Sequence, residues 1–237
     1  MAEGRGLRME FLRVIGLLLV MGISFSHCAQ YPRLRHGETY MYHYTRKGVE
    51  IGTEVFSIEA KGGHFILKAD SNIGEANSHQ RGNSELVFRK NGNPVAYFRR
   101  LDVKLPEIPA QNGLWELRYA FHGKEVTGKV TKDGSPQWKG SIRVEKEGVC
   151  CIDNNALSLL AVLVKAIYPK LRKEALYSVR AFHFSEAMVR EVTFRKIRDD
   201  VYHCRIGRLG VGDLFIRDGM LVKYEDPTSG LVIRLEQ

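Results

Sequence analysis

Four cysteines, Cys28, Cys150, Cys151 and Cys204, are the residues of this 237-residue chain whose chemistry depends most on the surroundings. In an oxidising compartment Cys204 can pair with one of the two adjacent cysteines. On strand parity Cys204 lies with Tyr202 and Ile206, and Cys150 keeps the parity of Ile142 and Val144 if one strand runs through Gly148. A Cys150–Cys204 disulfide is therefore the expected bridge, with a vicinal pair or free thiols as the alternatives. The eight histidines are dispersed, and His183 and His203, on nearby predicted strands, read as ordinary sheet residues. Asp199 with Asp200, and Asp213 with Asp218, read as acidic turns and not as a catalytic carboxylate pair. No nucleophile elbow, zinc-binding helix, phosphate loop or dinucleotide fingerprint is present. The reading assigns no catalytic residue, no metal and no cofactor, and expects a protein that is not an enzyme.

What remains is apolar. Trp115, Leu117, Tyr119 and Phe121 alternate with Glu116, Arg118, Ala120 and His122, which gives a strand with one aromatic face. Trp138 shares a face with Ile142 and Val144, opposite Lys139, Ser141 and Arg143. From Ala156 to Ile167 only Ser158 and Lys165 are polar, too broad an apolar surface for a helix on the outside of a domain. Trp115, Tyr119, Phe121 and Trp138 from the strands, with Leu160 and Leu163 from the helix, are the candidates for binding a lipid or other apolar small molecule in a cleft between sheet and helix. The same residues are equally those of a filled core.

The elements that would position them follow from the pattern. Residues 1 to 29 read as a secretory signal peptide: Arg5, Arg8 and Arg13 precede an apolar run from Val14 to Ile23, and small residues follow. Cleavage is expected after Ser26 or after Ala29, and Met9 is an alternative start. Cys28 is a candidate for lipid attachment, and an uncleaved segment would anchor the chain. Export to the periplasm, the cell envelope or the medium is the expected localisation. From 30 to 237 the reading is one β-rich domain, with strands and turn signals recurring at about ten-residue steps. Asn91-Gly92 marks a hairpin, and residues 71 to 83 read as a polar loop. One helix interrupts the strands over Asp153–Lys173, capped among Asp153, Asn154 and Asn155 and ended or kinked at Pro169 near residue 168.

The fold class expected is mainly β with one central helix, a curved antiparallel sheet or half-barrel wrapping that helix. The formal charge is +9, spread along strands and not gathered into a tract. For an exported chain such a surface suits an anionic membrane or an acidic partner better than nucleic acid, which is not expected as a partner. The alternative role is therefore a structural or assembly factor of the cell envelope working through that basic surface.

Asp153 followed by Leu157-Ser158, and the closing hairpin from Gly212 to Glu225, carry a resemblance at the level of topology. The order of elements resembles the uncharacterised exported β-rich half-barrel proteins and, more remotely, the periplasmic lipoprotein carriers and lipid-carrying lipoproteins. That resemblance implies a strongly curved sheet around a helix, with an apolar cavity for acyl chains.

Overall fold

Alternating apolar and polar residues, broken by short turns at Gly, Asn and Asp, fold into fifteen strands among the described residues. The computed structural model describes residues 37–236 apart from 76, 146–148, 154–155 and 207–208, with backbone alone at 209–211. The leader read at 1–29, its cleavage positions and Cys28 lie outside the described residues. The first run comprises β1 (Thr39–Arg46), β2 (Val49–Lys61), β3 (His64–Glu75), β4 (Ser78–Arg89), β5 (Pro94–Lys104), β6 (Gly113–His122), β7 (Glu125–Lys132) and β8 (Ser135–Arg143). After β9 (Cys150–Ile152) comes the helix α1 (Leu157–Leu171). The second run comprises β10 (Leu176–His183), β11 (Met188–Arg198), β12 (Val201–Ile206), β13 (Leu209–Arg217), β14 (Met220–Asp226) and β15 (Leu231–Leu235).

All fifteen strands form one sheet in the order β8-β7-β6-β5-β4-β3-β2-β1-β15-β14-β13-β12-β11-β10-β9. Neighbours are antiparallel except β9, which runs parallel to β10. Laid flat at about 4.8 Å per strand, the sheet would be about 67 Å wide. Yet its two edge strands, β8 and β9, are joined between Arg143 and Cys150 by a chain that reaches at most about 25 Å. The sheet must therefore curl until its edges approach. The rings confirm this: Tyr97 of β5 stacks on Phe184, just past β10, with centroids 3.6 Å apart, although ten places separate the two strands in the sheet.

The helix lies inside the curl, against β2, β9, β10 and β14, and ten of its residues are buried. The fold is the mainly β, helix-wrapping curved sheet expected. Of its polar residues ahead of Tyr168, Lys165 reaches the carbonyl of Asp218 at 3.2 Å, and Ser158 is buried. The helix runs two residues past Pro169, because a proline in the last turn forfeits a single backbone bond while Arg172 N–H still donates to Tyr168 O at 3.0 Å.

Several sequence expectations are corrected. Residues 71–75 and 78–83 are no loop but the rim ends of β3 and β4, in register from Ser71 opposite Gly82 to Glu75 opposite Ser78. A strand whose ladder is complete on both sides needs no apolar face at the rim, and here Arg81 Nε donates to Asn72 Oδ1 at 2.9 Å. β8 ends at Arg143, and Cys150 opens a separate strand, so the parity argument that joined them fails. The Cys150–Cys204 bridge does not form: Cys150 is disulfide-bonded, whereas Cys151 and Cys204 are free. β10 and β11 lie between β9 and β12, about 14 Å of sheet, twice the reach of a disulfide. Burial pushes the Cys204 thiol up to about 12 and that of Cys151 higher still, so both are held as thiols. β11 likewise separates His183 from His203, and Asp213 sits within β13, 2.9 Å from His203, and not in a turn.

Candidate functional site

Two charged residues occupy inward positions of apolar strands. In β2 Glu54 keeps the phase of Phe56 and Ile58, and in β5 Arg99 keeps the phase of Tyr97 and Val103. They are 1 % and 4 % exposed. Such groups persist in a core only when partners replace water, and the segment ahead of α1 supplies them.

Glu54 caps the helix from across the curl. Its Oε1 accepts from Ser158 N–H and its Oε2 from Leu157 N–H, each at 3.0 Å, and Tyr44 O–H donates to Oε2 at 2.5 Å. The negative charge thus sits on the positive end of the helix dipole. Asp153, expected as a helix cap, is instead the partner of Arg99. Its Oδ2 accepts from Arg99 Nη1 and from Tyr97 O–H, both at 2.8 Å. Its Oδ1 accepts from Ser185 N–H at 3.0 Å and from the Ser185 hydroxyl. Burial works against the Arg99 charge, but Asp153 and Tyr97 beside it more than offset this and hold the guanidinium protonated. Burial, with Asp153 and Glu54 as neighbours, pushes Tyr97 and Tyr44 well above the usual phenol range, so both remain donors.

His183 closes the cluster. Its Nδ1 accepts from Glu186 N–H at 3.2 Å, which leaves the ring proton on Nε2. Burial lowers its pKa below the ordinary 6.5, against the opposing pull of Asp153 and Glu186. A histidine kept neutral in the folded state contributes its full share above the unfolded value and loses it as pH falls through and below 6.5, where the unfolded chain takes up the extra proton. Thermal melts of the protein should therefore fall between pH 7 and pH 5, and a His183→Gln variant should lose part of that slope. An unchanged slope would show that the histidine is not held neutral.

Ser185 and Arg99 also form the floor of an open cleft of about 280 Å³ between β4 and β7. Leu101, Val103, Trp115, Leu117 and Val130 make its apolar walls, and Gln80 and Gln111 its polar rim. Trp115 is fixed there by its indole N–H, which donates to Gln111 O at 2.8 Å, while the Lys132 ammonium lies 5.7 Å from the ring centre and donates to Ala110 O. No residue of α1 lines this cleft, so it does not lie between sheet and α1 as the sequence suggested.

The six ligand candidates accordingly separate. Trp115 alone lines the cleft. Tyr119 and Phe121 belong to a packed aromatic cluster with Phe182 and Phe184, where Tyr119 O–H donates to Phe184 O at 2.7 Å. Trp138 lies on the edge strand with its ring 6.0 Å from that of Tyr119. Leu160 and Leu163 are core residues of the helix. The residues sequence reasoning missed are Glu54, Arg99 and Ser185. The first two carried a signal, a charge at an inward strand position; Ser185 carried none. Among the described residues no group of three or more His, Cys, Asp or Glu side chains could hold a metal ion.

No family model and no curated protein sequence matches the chain. A DUF1089 family protein from Pseudomonas aeruginosa is similar in structure, with a TM-score of 0.43 at 8 % identity over 72 % of this chain and 88 % of its own. A beta-barrel-like protein of the domain of unknown function DUF1849 from Brucella abortus gives 0.44 at 10 % identity over 84 % of this chain and 94 % of its own. At such distances neither carries any functional argument.

Proposed function

We propose that the protein is an exported, non-enzymatic binding module that seats one small, largely apolar ligand in the cleft walled by Trp115 and Leu117. The observation that carries this reading is a preformed concavity whose walls are apolar and whose floor holds a few fixed polar groups, the usual make-up of a small-molecule site. At about 280 Å³ it lies at the small end of such sites, commonly about 300–1,000 Å³. It has room for roughly nine units of water size, at about 30 Å³ each, and so for one short chain or ring system and not for paired acyl chains. Calorimetric titration with decyl-chain amphiphiles should show saturable one-to-one binding, and Trp115→Ala should weaken it by about tenfold or more, since a buried aromatic wall contributes about 1.5–3 kcal/mol. Absence of binding to the unaltered protein would remove the proposal.

A second reading, an envelope factor acting on an anionic surface, has one observation in its favour. On the outer face Arg118 stands opposite Lys129, and Lys129 opposite Lys139, so three adjacent strands present a row of exposed like charges. Directly opposed like charges cost stability, and an anionic partner would relieve that cost. Flotation with vesicles containing phosphatidylserine should then be lost in high salt and in the Lys129→Glu, Lys139→Glu double variant. Binding indifferent to both would count against it.

A further inference from the structure

Resting on the cleft as a ligand seat, we infer that the head group it accepts is uncharged. Of the residues that line the cleft only Arg99 ionises, and that guanidinium is already matched by Asp153 at 2.8 Å. A second carboxylate, Glu54, lies in the same buried cluster and bears on Arg99 electrostatically. Each carboxylate accepts from donors at both oxygens. The helix end returns only about half a positive charge. The interior behind the floor is therefore slightly negative, not positive.

A carboxylate or phosphate entering the cleft would shed water and meet a cation whose charge is spent, beside two anions it cannot displace. An ammonium group fares no better, because neither carboxylate lines the cleft, so it would shed water without meeting an acceptor of opposite charge. Lys132 does not change this balance: it does not line the cleft, and its ammonium is tied to Ala110 O, where solvent screens it. A hydroxyl or amide head, by contrast, can both donate to and accept from the Gln80 and Gln111 amides without adding charge, while its short tail lies along Leu101, Val103 and Trp115. The seat thus selects by charge at the head and by size at the tail.

Three probes with the same tail separate this inference from the reading it rests on: decanol, decanoate and decylammonium, titrated into the unaltered full chain at neutral pH and followed by calorimetry, with Trp115→Ala as the cleft control. The expected result is binding of decanol at least about tenfold tighter than either charged analogue, and weakened by about tenfold or more in Trp115→Ala. Decanoate or decylammonium binding as tightly as decanol, or more tightly, would overturn the head-group inference and leave the cleft as a seat. Failure of all three to bind, or binding untouched in Trp115→Ala, would overturn both.

Discussion

Asp153→Ala should unfold at a temperature roughly 6–20 °C below the parent. Removing this carboxylate strands Arg99, which is 4 % exposed, as a buried charge, and breaking a buried pair from one side costs about 3–5 kcal/mol. In a chain of this size each kcal/mol moves the midpoint by about 2–4 °C. Tyr97 O–H and the Ser185 donors lose an acceptor in the same step, which places the effect toward the upper end. The informative comparison is the double variant Asp153→Ala, Arg99→Met. If the loss arises from an uncompensated charge, the double variant should be more stable than Asp153→Ala alone, since the guanidinium has gone with its partner. Simple additivity of the two single losses would show that Arg99 and Asp153 do not act as a pair.

Glu54→Ala should cost about 2–4 kcal/mol by a different route. It leaves the first two N–H groups of α1, at Leu157 and Ser158, buried with nothing to donate to, at about 1–3 kcal/mol each, with partial relief as the site relaxes. Hydrogen exchange at those two amides should quicken before that of the β-ladder does. Glu54→Gln should fall between parent and alanine, because the amide keeps one acceptor oxygen but turns its NH2 toward a donor. Ser158→Ala is the control. The Ser158 hydroxyl has no hydrogen-bond partner among the described residues, so its removal should be near neutral and could stabilise. A Glu54→Ala protein as stable as the parent would mean that the helix start is held by packing alone.

These two residues also show where sequence reasoning reached and where it stopped. Strands such as β6 and β15 were legible because alternation is local: each side chain reports its face through its immediate neighbours. The hairpin at Asn91-Gly92 was legible for the same reason, with Gly92 at φ 86°. The rim of β3 and β4 was not, since what holds Asn72 and Arg81 extended is the neighbouring strand and not their own chemistry. Asp153 stood where a helix cap is expected, and only the curl of the sheet brings Arg99, 54 residues earlier, against it. Glu54 reaches the helix across 103 residues. The cleft is likewise non-local, as Ser185 joins residues of four consecutive strands from the far side of the curl. Trp115 lines the cleft, but nothing in its strand distinguishes it from Tyr119 and Phe121, which pack in the core.

The pairing of β1 with β15 carries a consequence in time. Thr45 and the Val232 carbonyl it bonds are 187 residues apart, so every other neighbour of β1 is made long before this one. At roughly 5–20 residues per second the chain needs about 10–40 s to supply the missing strand. During that interval the first eight strands can pair in the order in which they emerge, while one edge of β1 waits bare, and an unpaired edge is the part of a sheet that recruits strangers. The seam that joins the two runs in the finished molecule is thus the nascent chain's longest exposure, and it closes only when the last strand arrives.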